Sequence, residues 1–220
     1  MQFTQPSSSN NLLHLLSSPP PQNKTKLAKR TKLQLSLQIE ATPTAEINIK
    51  LGGDDGIRGR GEGNLKITYD DSSEEFQMLG TYTLQSGKFS YALGNIVRRK
   101  FDIAEGSYVV WDGDPLSPTV DITGRYHTTA SLRDLFGSEF SQAATNRTSV
   151  PVNCVLHMTD KLFNPILKFA VELPQSDESM QSQVNSIINT EEMLMRQVIY
   201  LLLFNRFYTA DYLQSNQTIG

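Results

Sequence analysis

The chain has little of what several protein classes require. A single cysteine, Cys154, among 220 residues excludes an internal disulfide framework, and its place in an alternating apolar run predicts a small buried side chain. A net charge of −3 excludes the strong basic field on which nucleic-acid binders depend. The three histidines have no metal-ligand spacing with the cysteine or with each other. No apolar run approaches the roughly 20 residues that a membrane-spanning helix needs.

Sequence motifs for catalysis are also missing. The chain has no nucleophile-elbow serine, no phosphate-loop lysine and no helical His-Glu-x-x-His motif. The glycine-rich segment Gly59–Gly63 leads into a strand pattern, so it has no helix N-terminus with which to cradle a phosphate. Asp112 and Asp114 lie close together in a turn but lack the further ligands of a calcium loop. We therefore expect no enzyme, no metal and no cofactor.

The N-terminal region lacks a secretory signal, because Met1–Pro21 has no cationic start followed by an apolar stretch. Residues 1–31 are rich in serine, asparagine and proline, and we predict that they form a disordered linker. The basic cluster Lys24–Lys32 is interpreted as solvated, with contact to acidic lipid headgroups as the alternative. The sequence thus predicts neither an export signal nor a membrane anchor within the chain.

What the chain has is alternation. From Lys32 to Glu40, apolar and polar residues alternate without a break, which is typical of a half-buried strand. The same pattern recurs at further apolar positions: Ala45, Ile47, Ile49, Leu51; Leu65, Ile67, Tyr69; Phe76, Met78, Tyr82; Phe89, Tyr91, Leu93; Phe101, Ile103; Val120, Ile122, Tyr126; Val150, Val152, Cys154; Leu167, Phe169, Val171, Leu173. Turn signals separate these segments: Gly52–Gly56, Asp70–Ser73, Ser86-Gly87, Glu105–Ser107, Asp112–Pro115 and Asn164-Pro165.

Residues 32–174 are therefore predicted to form an amphipathic β-sheet domain of about ten strands, apolar on one side. Such strands cover their apolar side in one of two ways: two sheets close into a filled sandwich, or one sheet curls into a trough. Periodicity does not choose between them. A trough that its own side chains do not fill has an apolar floor, and exposed apolar patches mark binding surfaces.

After Pro174 the period becomes helical, and residues 175–208 are predicted to form C-terminal helices. Thr190 is a candidate N-cap, with Glu191 and Glu192 in the first turn favouring the positive end of the helix dipole. The seven apolar residues Val198–Phe204 predict burial against protein or lipid, so we expect this helix to cover one end of the sheet. Residues 209–220 are predicted to be a flexible tail.

Several sequence strings occur in an order that resembles one family. They are Gly59–Leu65, Gly80–Leu84, Gly87–Phe89, Lys100–Ile103 with Gly106-Ser107, Trp111–Pro115, Val150–Leu156, Asn164-Pro165, Glu172–Pro174, Ile188–Glu192, Arg196-Gln197 and Leu201–Phe207. Together they resemble the C-terminal domain of the TamB family, the translocation and assembly module subunit of Gram-negative envelopes. The resemblance runs from about Leu33 to Tyr208.

The resemblance implies a mainly β fold: a curled, trough-like sheet with an apolar interior, called a β-taco, followed by a helical segment. Family members are anchored in the inner membrane, cross the periplasm and work with TamA, an outer-membrane barrel. They serve outer-membrane biogenesis, the secretion of autotransporters and the transport of phospholipid between the membranes. The anchor of the family is absent from this chain, which therefore looks like a fragment.

These expectations lead to two sets of candidate site residues. The trough lining is predicted to comprise Leu35, Leu37, Ile49, Ile67, Phe89, Tyr91, Phe101, Ile122, Val152, Phe169 and Val171. A helix that docks a TamA-like barrel is predicted to use Val198, Leu201, Leu202, Phe204 and Phe207. A third interpretation is a β-sandwich enzyme or carbohydrate binder, for which Tyr108 and Trp111 are the nearest candidates for an aromatic platform on the polar face.

Overall fold

The computed structural model describes residues 32–53, 55–93, 97–137 and 149–209. The compact unit that begins at Leu33 contains every element given below. The predicted linker 1–31, and the predicted tail beyond Thr209, lie outside the described residues.

Nine strands and three helices make up this unit. In chain order they are β1 (Gln34–Ala41), β2 (Glu46–Gly52), β3 (Asp55–Asp70), β4 (Glu75–Leu93), β5 (Val97–Ile103), β6 (Tyr108–Gly113), β7 (Thr119–Ala130), α1 (Leu132–Phe136), β8 (Val150–Lys161), β9 (Ile166–Glu172), α2 (Glu178–Ile187) and α3 (Glu191–Phe204). The strands form one antiparallel sheet in the order β1-β3-β4-β5-β7-β8-β9. β2 pairs with β3 beyond the end of β1, and β6 pairs with β4 and β7 beyond the end of β5. The mainly β prediction with C-terminal helices is confirmed.

One predicted turn is wrong. Ser86 and Gly87 lie inside β4, which runs without interruption from Glu75 to Leu93. The pairing partner of β3 shifts from Ser86, opposite Arg60, to Leu84, opposite Gly61, so that Gln85 is an extra residue. Such a β-bulge moves the alternation by one position. The bulge explains why the apolar positions of β4 change from even to odd numbers along one continuous strand.

The apolar side chains of successive strands lie on one face of the sheet, because directly opposed residues of antiparallel strands share a face. One row runs through Ile49, Ile57, Phe89 and Phe101 on β2 to β5. A second row continues this face across β7, β8 and β9 through Tyr126, Cys154 and Val171. We call this face the inner face. The described strands form a single hydrogen-bonded sheet, which is consistent with the predicted curled sheet.

Glycines on the inner face of β3 permit a close approach of β4. A Cβ atom placed on Gly61 would lie 1.9 Å from the carbonyl oxygen of Thr83, and one on Gly63 would lie 2.2 Å from that of Thr81. Real side chains do not tolerate either distance. Strand packing therefore explains this glycine-rich segment, because a side chain at Gly61 or Gly63 would collide with the backbone of β4.

Substituting alanine for Gly61 is expected to destabilise the domain by about 3 kcal/mol, because the added methyl group meets backbone that has no room to retreat. Urea unfolding followed by circular dichroism measures the change. Glu62→Ala is the matched control, since Glu62 is exposed on the same strand, and it is expected to stay within about 0.5 kcal/mol of the wild type. Equal stabilities for the two variants would contradict this account of the glycine segment.

Candidate functional site

The inner face has a closed half, where α3 covers it. α3 packs over β5, β7, β8 and β9. Phe101, Ile122 and Val152 lie on these strands, Phe89 on β4 lies beside Phe101, and all four are at most 1% exposed. Aromatic rings contribute to the packing, with ring centroids 6.5 Å apart for Phe89 and Phe101. The closed half is a filled core.

Polar contacts fix the C-terminal end of α3 to the sheet. Nε of Arg99, on β5, donates to the carbonyl oxygen of Leu202 at 2.9 Å. Asn205 caps the helix in a left-handed conformation, and its Oδ1 accepts from Oγ1 of Thr128 at 2.9 Å and from the hydroxyl of Tyr126 at 3.4 Å. These bonds join the end of the helix to β5 through Arg99 and to β7 through Tyr126 and Thr128. The position of α3 is therefore specified by directional bonds as well as by apolar packing.

A buried glutamine holds the segment that follows α3. The amide of Gln197 donates to the carbonyl oxygen of Tyr208 at 2.9 Å and accepts from its backbone N–H at 2.7 Å. The segment after Asn205 therefore turns back along α3. It also places Phe207 in the core.

The residues of the predicted docking helix are mostly occupied within the chain. Val198, Leu201, Leu202 and Phe207 are buried in the core. Phe204, by contrast, is 57% exposed. Of these five residues, a partner that met the domain in this conformation would contact Phe204.

The inner face also has an open half, at the β1 end. We call its apolar side chains the open stripe: Leu33, Leu35, Leu37, Ile39, Ile67, Tyr69, Phe76 and Met78. Those of Leu33 to Ile39 and of Phe76 are between 40% and 56% exposed, and the others are partly buried. The register joins them in rows, such as Leu37, Ile67 and Met78 on β1, β3 and β4. A contiguous apolar surface of this kind is typical of a binding site.

The predicted trough lining is thus divided between the two halves. Phe89, Phe101, Ile122, Val152 and Val171 are buried in the closed half. Ile49, Ile67, Tyr91 and Phe169 are partly buried, whereas Leu35 and Leu37 are exposed in the open stripe. The structure adds Leu33, Ile39, Tyr69, Phe76 and Met78 to the open half. Their alternation already placed them on the apolar side of their strands, but only the strand register shows that they adjoin Leu35 and Leu37.

The outer face carries polar side-chain contacts across neighbouring strands. Arg125 pairs with Glu172 at 3.2 Å, and Nε2 of His157 lies 2.8 Å from Oδ1 of Asp121. These groups are all partly exposed to solvent, so each pair contributes little to stability. Within the described ranges, no three histidine, cysteine, aspartate or glutamate side chains converge as a metal site would require.

Cys154 and Trp111 both lie in the core. Burial raises the pKa of the Cys154 thiol to about 12, so this thiol is protonated at neutral pH and is a poor nucleophile. The predicted burial of Cys154 is confirmed. Trp111 pairs with Gly80 on the inner face and is buried, whereas its neighbour Tyr108 is exposed. The two rings therefore do not form an aromatic platform on the polar face.

In the part of the chain that the structure describes, the helices are too short or too polar to cross a bilayer.

Two comparisons with known proteins bear on the family to which the chain belongs. Comparison with curated protein sequences gives no match. The sequence model of the TamB C-terminal domain, in contrast, matches residues 2–220. A match over this length, together with the single curled sheet and its C-terminal helices, shows that the chain belongs to the TamB family of envelope-assembly proteins as its C-terminal domain.

Proposed function

We propose that the inner face shelters apolar cargo between the inner and outer membranes, and that the acyl chains of phospholipid are this cargo. The observation that carries the proposal is the open stripe, a continuous set of exposed and partly buried apolar side chains on the inner face of the sheet. A nascent outer-membrane protein, whose strands are also apolar on one side, is the alternative cargo.

Acyl chains suit this surface because it offers apolar area and few directional groups. Each methylene that leaves water for an apolar surface contributes about 0.8 kcal/mol, so a long chain is held without a hydrogen bond or a cofactor. The polar side chains of the same strands, such as Gln34, Ser36 and Gln38, lie on the opposite face. A lipid on this part of the inner face therefore contacts a lining of apolar side chains.

The closed half limits where cargo can lie. Phe89, Phe101, Ile122 and Val152 fill the inner face in the closed half, so among the described residues the long exposed apolar part of that face lies toward β1. We infer that cargo enters and leaves through the open half. The closed half then gives the sheet its stability, and α3 marks the end of the apolar path within this domain.

Native mass spectrometry of the protein purified from membranes tests the proposal. Phospholipid is expected to remain bound, and delipidated protein is expected to take up fluorescent phospholipid from vesicles. If the protein neither retains phospholipid nor acquires it from vesicles, shelter of acyl chains is excluded.

Docking to a TamA-like outer-membrane barrel protein is the second candidate function. Family membership supports it, and so do the outermost strands β1 and β9, each of which pairs on one side only among the described strands. The two functions can coexist in the periplasm. A pull-down with the periplasmic domains of such a barrel protein separates the two functions. A variant with a charge in the open stripe is expected to lose lipid binding but to keep docking, because its sheet edges are intact.

A further inference from the structure

The free edge of β9 presents backbone groups at alternate residues. In an antiparallel ladder, each residue directs both its N–H and its C=O to the same side of the strand. The backbone groups of Val171 and Leu173 are bound from outside the sheet, so these odd-numbered residues face away from β8. The same alternation directs the N–H and C=O groups of Leu167 and Phe169 outward. Within the described part of the chain, no strand pairs with that side of β9.

A side-chain amide already occupies this edge in the way that one residue of a parallel neighbouring strand would. Oε1 of Gln181, on α2, accepts from the N–H of Leu173 at 2.8 Å, and its Nε2 donates to the carbonyl oxygen of Val171 at 2.9 Å. One amide thereby makes the two bonds that a neighbouring strand makes at one position of a ladder. Gln181 thus occupies the C=O of Val171 and the N–H of Leu173, whereas no strand among the described residues pairs with the outward groups of Leu167 and Phe169.

A groove lies along β9 from Phe169 to Glu172, so it reaches the open part of the edge at Phe169. It has a volume of about 400 Å³. Its apolar lining comes from Phe169, Ala170 and Val171 on β9 and from Ile188 and Leu194 beyond α2. Gln181 and Asn185 add amide groups, and Glu172 adds a carboxylate. The groove thus combines apolar contact for a side chain with an unfilled ladder for a backbone. This combination is what an added β-strand uses for specificity and affinity.

We propose that the β9 edge takes up an extended segment of a partner polypeptide. The segment pairs with Leu167 and Phe169, ends at the Gln181 amide and places one apolar side chain in the groove. This inference deepens the docking part of the proposed function, because it names the edge and the class of partner. It does not depend on whether the open stripe holds lipid.

The groove favours a single strand over the edge of a second sheet. Neighbouring strands in a sheet lie about 4.8 Å apart, so an incoming sheet would bring a second strand to the far side of the first. Asn185, Ile188 and Leu194 line the same groove as β9, so they limit the room for a second strand. The edge of β1, in contrast, adjoins the exposed open stripe, to which we assign lipid rather than a polypeptide strand.

The probe for this test is a fluorescein-labelled peptide of nine residues in which threonine and valine alternate between terminal lysines. Titration of the full chain with the peptide is expected to saturate, and amide hydrogen exchange is expected to slow at Leu167 and Phe169. The same peptide with N-methyl groups at alternate residues loses ladder donors, and its affinity is expected to fall at least tenfold. Binding is measured without lipid, so its outcome is separate from that of the lipid experiments.

Two pairs of protein variants locate the site. Phe169→Pro removes an outward N–H and is expected to weaken peptide binding at least tenfold, whereas Phe169→Leu keeps that N–H and is expected to stay within threefold. Gln38→Pro removes the corresponding outward N–H on β1 and is expected to leave binding within twofold. The slowed exchange at Leu167 and Phe169 is measured on the wild type, so the test holds even if a proline variant fails to fold.

Three outcomes would overturn the inference. The first is absence of saturable binding. The second is slowed exchange on β1 instead of β9, which would move the site to the other edge. The third is a wild-type dimer that the peptide dissociates, which would show a second copy of the chain on the β9 edge.

Discussion

Aspartate in place of Leu37 is expected to lower phospholipid uptake at least tenfold while the domain stays folded. Leu37 lies in the middle of the open stripe and is 44% exposed, so a carboxylate there remains hydrated in the free protein. A bound acyl chain would have to displace that water. A tenfold loss of uptake corresponds to about 1.4 kcal/mol of binding free energy, which is less than the contribution of two buried methylenes. Loss of contact between the acyl chain and the protein near residue 37 is therefore enough to produce it.

Ser36→Asp is the matched control for this prediction. Ser36 precedes Leu37 on β1 and lies on the outer face, so the same charge is added to the same strand on the opposite side. We expect this variant to take up fluorescent phospholipid from vesicles as the wild type does. If Leu37→Asp and Ser36→Asp lose uptake equally, the effect is one of net charge, and the open stripe is not the lipid surface.

Aspartate in place of Phe89 is expected to unfold the domain rather than only to block a lipid path. Phe89 is 1% exposed, and its ring centroid lies 5.7 Å from that of Tyr91 and 6.5 Å from that of Phe101. Removing a buried aromatic ring costs about 3–5 kcal/mol, and burying an unpaired carboxylate adds several more. The sum is comparable to the whole stability of a domain of this size, about 5–15 kcal/mol. Thermal unfolding followed by circular dichroism measures the loss.

Ser90→Asp supplies the comparison on the neighbouring residue. Ser90 lies on the outer face of β4, directly opposite Lys100 on β5, so its carboxylate gains a cation and stays near solvent. We expect it to melt within a few degrees of the wild type. A Phe89→Asp variant that melted cooperatively at the same temperature would show that the closed half is not the core.

The two aspartate variants answer different questions because the trough has two halves. Loss of lipid uptake in Phe89→Asp would report loss of the fold. The same loss in Leu37→Asp, on a folded protein, would report the surface itself. A charge scan of the trough is therefore informative only in the open half.

Much of the fold follows from local patterns in the sequence. The unbroken alternation near Leu35 predicts β1, and the direct pairing of Leu37 with Ile67 confirms that such alternation marks one face. The predicted N-cap of α3 is also confirmed, since Oγ1 of Thr190 accepts from the N–H of Met193 at 3.2 Å. These features depend on residues that are neighbours in the chain or on a period that the strand itself imposes.

Other elements could not be predicted from local patterns. The segment Val109–Trp111 in β6 is apolar at three consecutive positions, so it shows no alternation, and the strand went unpredicted. Ser86-Gly87 has the composition of a turn, yet the pairing of β4 with β3 on both sides of Gln85 makes it part of a bulged strand. In both cases the pairing partner, rather than the local composition, decides the conformation.

The sequence by itself determined that the chain makes an apolar-faced sheet, where most of its strands lie and to which family it belongs. The tertiary structure decided which part of that face is covered. Alternation fixes the direction of each side chain, because successive residues of a strand point to opposite faces. It carries no information about what lies above them. α3, which is distant along the chain and is seated by Arg99 and Thr128, covers the part of the face on β5, β7, β8 and β9. Phe89 is buried and Leu37 is open although both follow the same pattern.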